Sequence, residues 1–131
     1  MKSLMMTEPL LEPLLRKIRF EKVLKHIKHG TTVVDIGCGH TPHLLNRLEK
    51  YIKNGIGVDQ LIVNQKKGNI TLISKQLANR IPLKSHLADH VTLIAVLEHL
   101  ENPDALLKEA HRILKTNGSL ILTTPTPANK P

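Results

Sequence analysis

Val33-Val34-Asp35-Ile36-Gly37-Cys38-Gly39-His40-Thr41-Pro42 is the stretch whose reading decides the fold of this chain. A β-branched run ends in an acid, passes two glycines one residue apart, and reaches a proline suited to the start of a helix. That order is strand, tight turn, helix N-terminus. Without a Cβ, Gly37 and Gly39 let the turn take positive φ and let its backbone lie directly against a ligand. In an open α/β sheet this first strand-to-helix turn borders the crevice where cofactors bind. A plain βα turn uses glycine for geometry alone, so the downstream spacing has to decide between the two readings.

Gly55-Ile56-Gly57-Val58-Asp59 reads as a second short strand ending in a carboxylate. Asp59 follows Gly39 by 20 residues, the spacing at which a nucleotide-site acid accepts hydrogen bonds from ribose hydroxyls. One carboxylate suits a cis-diol because it can accept from both hydroxyls. An Asp after a strand also caps helices, but the glycine turn and the spaced acid together point to an adenosine-containing cofactor on a Rossmann-like sheet. A dinucleotide fingerprint places a third glycine where this chain has Pro42, which argues against a nicotinamide dehydrogenase. No Gly-Lys-Ser/Thr occurs, so a P-loop is excluded.

At this point the residues resemble the class I S-adenosylmethionine-dependent methyltransferases. Val33 to Gly39 is similar to their first motif, and Gly57-Val58-Asp59 to their second. Ala95-Val96-Leu97-Glu98-His99-Leu100, followed by Asn102-Pro103, resembles the segment after their fourth strand, and Arg112 to Pro125 their fifth-strand region. The four motifs stand in the family's order between residues 31 and 127. Two positions depart from the pattern. Thr41 stands where a third glycine is usual, and Ser74-Lys75-Gln76-Leu77 lacks the acid often found near the adenine amino group, leaving the Gln76 amide oxygen as an acceptor.

The resemblance implies S-adenosylmethionine as cofactor and assigns roles residue by residue. Asp35 places negative charge at the methionine end, Gly37 and Gly39 admit the ligand's approach, and Asp59 holds the ribose. Gln60 and Gln76 border the adenine, and Cys38 and Leu97 complete the lining. His99, after the fourth strand, is the candidate general base where the acceptor must lose a proton. No Asn/Asp-Pro-Pro-aromatic motif and no Pro-Cys nucleophile is present. Glu98-His99-Leu100 and Thr124-Pro125-Thr126-Pro127 look more like methyltransferases of quinone, lipid, sugar and secondary-metabolite pathways. The expected acceptor is therefore a small molecule. Family members usually continue past the fifth strand with two more, so that strand is expected to leave an open edge. Three forms then remain: a minimal working enzyme, a cofactor-binding partner subunit, or a truncated methyltransferase with no activity of its own; the open edge is also expected to favour a homo-oligomer or a completing subunit.

The 131 residues fit one domain, and 40% apolar with 2% aromatic residues means that Leu, Ile and Val build the core. A formal charge of +8 is compatible with nucleic acid, anionic lipid or acidic substrates. A basic nucleic-acid-binding module explains that charge but not the glycine turn with Asp59. The single cysteine excludes an internal disulfide. No signal peptide or membrane-length apolar run is visible, so the cytoplasm is the expected compartment.

Residues 1–30 read as an N-terminal amphipathic helix packed on a core spanning 31–127, with 128–131 as a tail. Leu11, Leu14, Leu15, Ile18, Val23, Leu24 and Ile27 form its apolar face. Arg16, Lys17, Arg19, Lys22, Lys25 and Lys28 lie largely on the other side, as a solvated face or a surface for anionic lipid or nucleic acid. His26-x-x-His29 and His40-x-x-His43 have no acid or cysteine set beside them, and no metal site is expected. The pattern predicts helices over 42–53 and 104–115, with further strands over 70–73, 91–96 and 119–124. Pro82 breaks the irregular stretch 74–90. Strands alternating with helices predict a doubly wound parallel sheet in the order 3-2-1-4-5.

Overall fold

The computed structural model describes residues 2–77, 80–94 and 96–123, with side chains from residue 11 onward. Thr124-Pro125-Thr126-Pro127 and the expected tail 128–131 lie outside the described residues, as does Ala95. The elements in chain order are α1 (Lys2–Leu24), β1 (Thr32–Ile36), α2 (His43–Leu48), β2 (Asn54–Asp59), β3 (Gln65–Lys67), β4 (Ile70–Ser74), β5 (Ala88–Ile94), α3 (Pro103–Ile113) and β6 (Leu114–Thr123). A single 3₁₀ turn, Leu97–His99, follows β5.

One sheet holds the strands in the order β3-β4-β2-β1-β5-β6. The five strands expected from the sequence are β1, β2, β4, β5 and β6. They pair in parallel in the expected order. The sequence did not announce β3, a three-residue exposed strand that pairs antiparallel with β4 and makes the sheet mixed.

β1 lies at the centre and is buried along its whole length, as a strand covered on both faces must be. Its side chains alternate between two apolar clusters. Val33 joins Phe20 and Val23 of α1 and Ile27 beyond its end with Leu44, Leu45 and Leu48 of α2. Val34 and Ile36 join Leu106, Ala110 and Ile113 of α3 on the opposite face. Gly57 of β2 is bare where neighbours crowd it: a Cβ there would come within 2.8 Å of Cys38 Sγ, 2.9 Å of Leu72 Cδ2 and 3.1 Å of Leu45 Cδ1 of α2.

Several boundaries differ from the sequence expectation. The helix expected over 42–53 is only His43–Leu48, because the Tyr51 and Ile52 N–H groups both return to the Leu48 carbonyl and turn the chain toward β2. The helix expected to reach Lys115 ends at Ile113, since Leu114 is already extended at ψ 140° and starts β6. Its cap is Asn102, whose side chain accepts from the Ala105 N–H at 3.3 Å. The apolar face expected of α1 is split. Phe20 and Val23 are buried, but Leu14, Leu15 and Ile18 are exposed, because they lie on the side of the helix away from the core that Phe20 and Val23 join.

The irregular stretch before β5 is held by two side chains of α3. Glu109 is buried, accepts from the Ile81 N–H at 2.8 Å, and accepts two hydrogen bonds from Arg112. Arg112 also donates to the Ile81 and Leu83 carbonyls. Arg112 beside it, with the Ile81 N–H, holds the Glu109 carboxyl down at about 2 against the attraction of burial for the neutral form. The folded chain therefore binds this proton less tightly than the unfolded chain. Stability from the pair is full above the ordinary carboxylate value and is lost as pH falls from about 4.5 toward 2. We expect Arg112→Ala to lower unfolding free energy by roughly 3 kcal/mol at neutral pH and to flatten this acid limb in denaturation curves; an unchanged limb would show that the pair does not anchor the loop.

Candidate functional site

At the carboxyl end of β1 the backbone turns through Gly37 at φ +80° and Gly39 at φ +86°. A Cβ on Gly37 would stand 2.6 Å from Val96 Cγ2 in addition to the strained φ, so only glycine fits this position. The Gly37 N–H donates to the Val58 carbonyl at 2.7 Å, and the Gly39 N–H donates to Asp59 Oδ2 at 2.8 Å. The other oxygen, Asp59 Oδ1, accepts from the Leu61 N–H at 2.8 Å. The acid twenty residues downstream thus closes the glycine turn as well as ending β2. Each of its oxygens keeps a second acceptor position.

Two cavities flank Gly37. The first, about 450 Å³, is lined by Gly37, Asp59, Gln60, Leu61, Gln76, Leu77, Val96, His99 and Leu100. The second, about 350 Å³, takes Asp35, Gly37, Cys38, Gly39, His40, Thr41, His43 and Leu44, with Arg16, Arg19 and Phe20 of α1 across from them. A larger cavity, about 690 Å³, lies between the end of α1 and β6, beside His90 and Ser119. Volume does not select it: it has no part of the glycine turn, whereas the two smaller cavities sit where β1 borders both β2 and β5 and the sheet order reverses.

The structure brings Asp59, Gln60, Gln76, Gly37 and His99 to one cavity and Asp35, Cys38 and Gly39 to the other, with Gly37 common to both. Leu97 lines neither of them; it is half-buried against the α3-side core, and Val96 and Leu100 take its expected place. The Cys38 side chain is buried against Gly57, so the turn offers a ligand its backbone. Burial, then the Asp35 and Asp59 charges, push the Cys38 thiol up to about 12, which leaves it un-ionised and unreactive at neutral pH. The His99 side chain, unlike that of Cys38, is 77% exposed at the cavity mouth, 4.0 Å from Glu98. Arg16 and Arg19, expected on a basic face, line the second cavity instead; they share one stripe with Phe20 and Val23 at i, i+3, i+4 and i+7, a spacing that does not by itself say which side of α1 turns inward.

Asp35 is 3% exposed, and its Oδ1 accepts from Thr92 Oγ1 at 2.7 Å. Burial pushes the Asp35 carboxyl up to about 7, partly offset by Thr92 and reinforced by the Asp59 charge. Near neutral pH this group is poised to ionise, and a cation entering the cavity would hold it charged.

The methyltransferase domain family matches residues 10–130. The chain belongs to that family. This methyltransferase domain is 27% identical over 97 residues to a ubiquinone biosynthesis O-methyltransferase of Pseudomonas aeruginosa, covering 74% of this chain and 36% of that protein. It is 27% identical over 114 residues to cyclopropane mycolic acid synthase 1 of Mycobacterium tuberculosis, covering 76% and 38%. Among solved structures, a SAM-dependent methyltransferase of Aquifex aeolicus shares the fold with TM-score 0.66 at 24% identity, over 83% of this chain and 70% of that one. The domain spans 36% to 50% of the length of the curated relatives it matches.

The Asp35 carboxyl gives a pH test of this arrangement. Because its folded pKa is raised, the folded chain holds this proton more tightly, and ionisation removes stability as pH rises from about 4 to about 7. Asp35→Asn keeps an acceptor for Thr92 and should remove that loss, a gain over the parent of up to about 4 kcal/mol above pH 7. The comparison must be made between the two proteins. His90, whose pKa burial lowers, contributes the opposite slope by losing stability as pH falls below its ordinary value. Denaturant curves across this range that stay parallel for parent and variant would contradict a buried, late-ionising Asp35.

Proposed function

We propose that this methyltransferase domain binds S-adenosylmethionine across Gly37, with adenosine in the first cavity and the amino-acid end in the second, and serves methyl transfer to a small-molecule acceptor. The observation that carries the reading is the shared Gly37, where two cavities of opposite equipment meet: ribose acceptors and amides on one side, a buried carboxyl on the other. When bound, this cofactor supplies a methyl group already activated on a sulfonium.

The chain's own work is then mainly alignment, worth roughly 7–11 kcal/mol when two reactants are held for in-line attack. Asp59 accepts the two ribose hydroxyls on the lone pairs its backbone partners leave free. Gln60 and Gln76 offer amide donors and acceptors to the base edge, in place of the missing acid. Asp35, ionised by the approach of positive charge, compensates the cationic end of the ligand. His99 stands where an acceptor hydroxyl would reach the first cavity, and its exposure lets it pass a proton to water. The relatives' names support a small acceptor of the quinone or lipid kind, and the sequence pattern extends this to sugars and secondary metabolites.

A second reading, a cofactor-binding subunit that works with another chain, is favoured by β6. Among the described residues it pairs only with β5, and its Leu120 and Leu122 are 36% and 40% exposed.

Calorimetry with S-adenosylmethionine, S-adenosylhomocysteine and NAD tests the shared premise. The two sulfur ligands should bind and NAD should not; the reverse order would sink it. Asp59→Ala should weaken S-adenosylhomocysteine by roughly 1.5–3 kcal/mol, and unchanged affinity would retire Asp59 as the ribose acceptor. If cofactor binds but a panel of catechols, quinols and fatty acyl chains gains no methyl group until a second protein is added, the subunit reading stands.

A further inference from the structure

We propose that the outward face of α1 docks on an anionic lipid bilayer. Leu14, Leu15 and Ile18 are 52%, 44% and 47% exposed, while Phe20 and Val23 are 8% and 2% exposed. At about 3.6 residues per turn the first three lie on the side of the helix away from the last two. The helix therefore has two apolar faces, and the core uses one.

Toward the C-terminal end of the helix the outward face presents Lys22, and Lys25 follows just past the helix end, both exposed, with Lys17 exposed at the flank. The neighbouring acids are engaged elsewhere: Glu12 lies 3.8 Å from Arg19, and Glu21 pairs with Arg47. Among the described residues no acid stands within ion-pair distance of these three lysines.

Charge and apolarity together select the occupant. A nucleic acid would satisfy the lysines but has no apolar phase for three large aliphatic side chains. A second copy would bring another +8 chain against the same lysines. An anionic bilayer offers acyl chains to the leucines and headgroup phosphates to the lysines. No described helix is long and apolar enough to cross a membrane, so α1 would lie in the interface. Its inward face carries Arg16 and Arg19 on the wall of the second cavity, so docking would leave that cavity on the side of α1 away from the lipid. The inference does not rest on methyl transfer.

Co-sedimentation of the full chain with phosphatidylcholine vesicles, with and without about one-third phosphatidylglycerol, tests it. The parent should partition at least tenfold better into the mixed vesicles, and added salt should weaken the binding. Leu14→Asp/Ile18→Asp should cut partition roughly tenfold, with thermal unfolding and S-adenosylhomocysteine affinity unchanged. Three outcomes overturn the proposal. The aspartate variant binds like the parent, which would mean adsorption by charge alone. The parent ignores vesicles but binds RNA tightly. Or the parent forms a dimer that the same aspartates dissolve.

Discussion

The 2.8 Å hydrogen bond from the Gly39 N–H to the Asp59 carboxylate ties the end of β1's turn to the end of β2, and the candidate site depends on it. Two neighbouring parallel strands would otherwise leave their carboxyl-end loops free to splay. Here Asp59 spans them, with one oxygen on each loop, and Gly37 adds a bond to the Val58 carbonyl. The backbone that a ligand would meet is thus set before the ligand arrives, which lowers the ordering cost of binding. The same carboxylate is engaged structurally and yet has acceptor capacity left. Removing it therefore loosens the turn and deprives the ligand together.

Packing brings these loops to their positions. The bare Gly57 receives the Cys38 side chain, so the residue between the two turn glycines is anchored in the core while its neighbours stay at the surface. On the opposite face, Val96 fills the space beside Gly37 and belongs to the cluster built on α3. α3 also fixes the stretch leading into β5 through Glu109 and Arg112. Each face of the sheet thus fixes one side of the turn. Asp35 lies between them, buried and weakly acidic. The chain holds an uncomfortable group at its centre, which is common where a site must meet a charge.

The residues with steric or spacing constraints were readable in advance. Gly37, Gly39 and Asp59 announce themselves because only glycine tolerates the turn and only a fixed separation brings an acid to it. The hydrophobic runs located the five parallel strands, and their alternation with helices set the order. β3 was not readable, since Gln65-Lys66-Lys67 has neither apolar alternation nor β-branching and forms by pairing along β4. The short α2 was also hidden: Leu44, Leu45, Leu48 and Ile52 fit a longer helix, and only the return to β2 ends it. Arg16 and Arg19 were hidden for a different reason. Periodicity identifies an apolar stripe, but α1 has two, and only the position of the sheet decides which one turns inward. The fold of this methyltransferase domain follows from local pattern, while the wall opposite the glycine turn follows from tertiary placement.

Backbone amide NMR of the ¹⁵N-labelled chain titrated with S-adenosylhomocysteine tests the central claim most directly. Shifts should concentrate at Gly37, Gly39 and Leu61 and extend to both the Gln76 and the His40 sides, leaving Asn117, Ser119 and Lys28 around the larger groove unmoved. Shifts confined to that groove, or to one side of Gly37 alone, would contradict a single ligand lying across the turn.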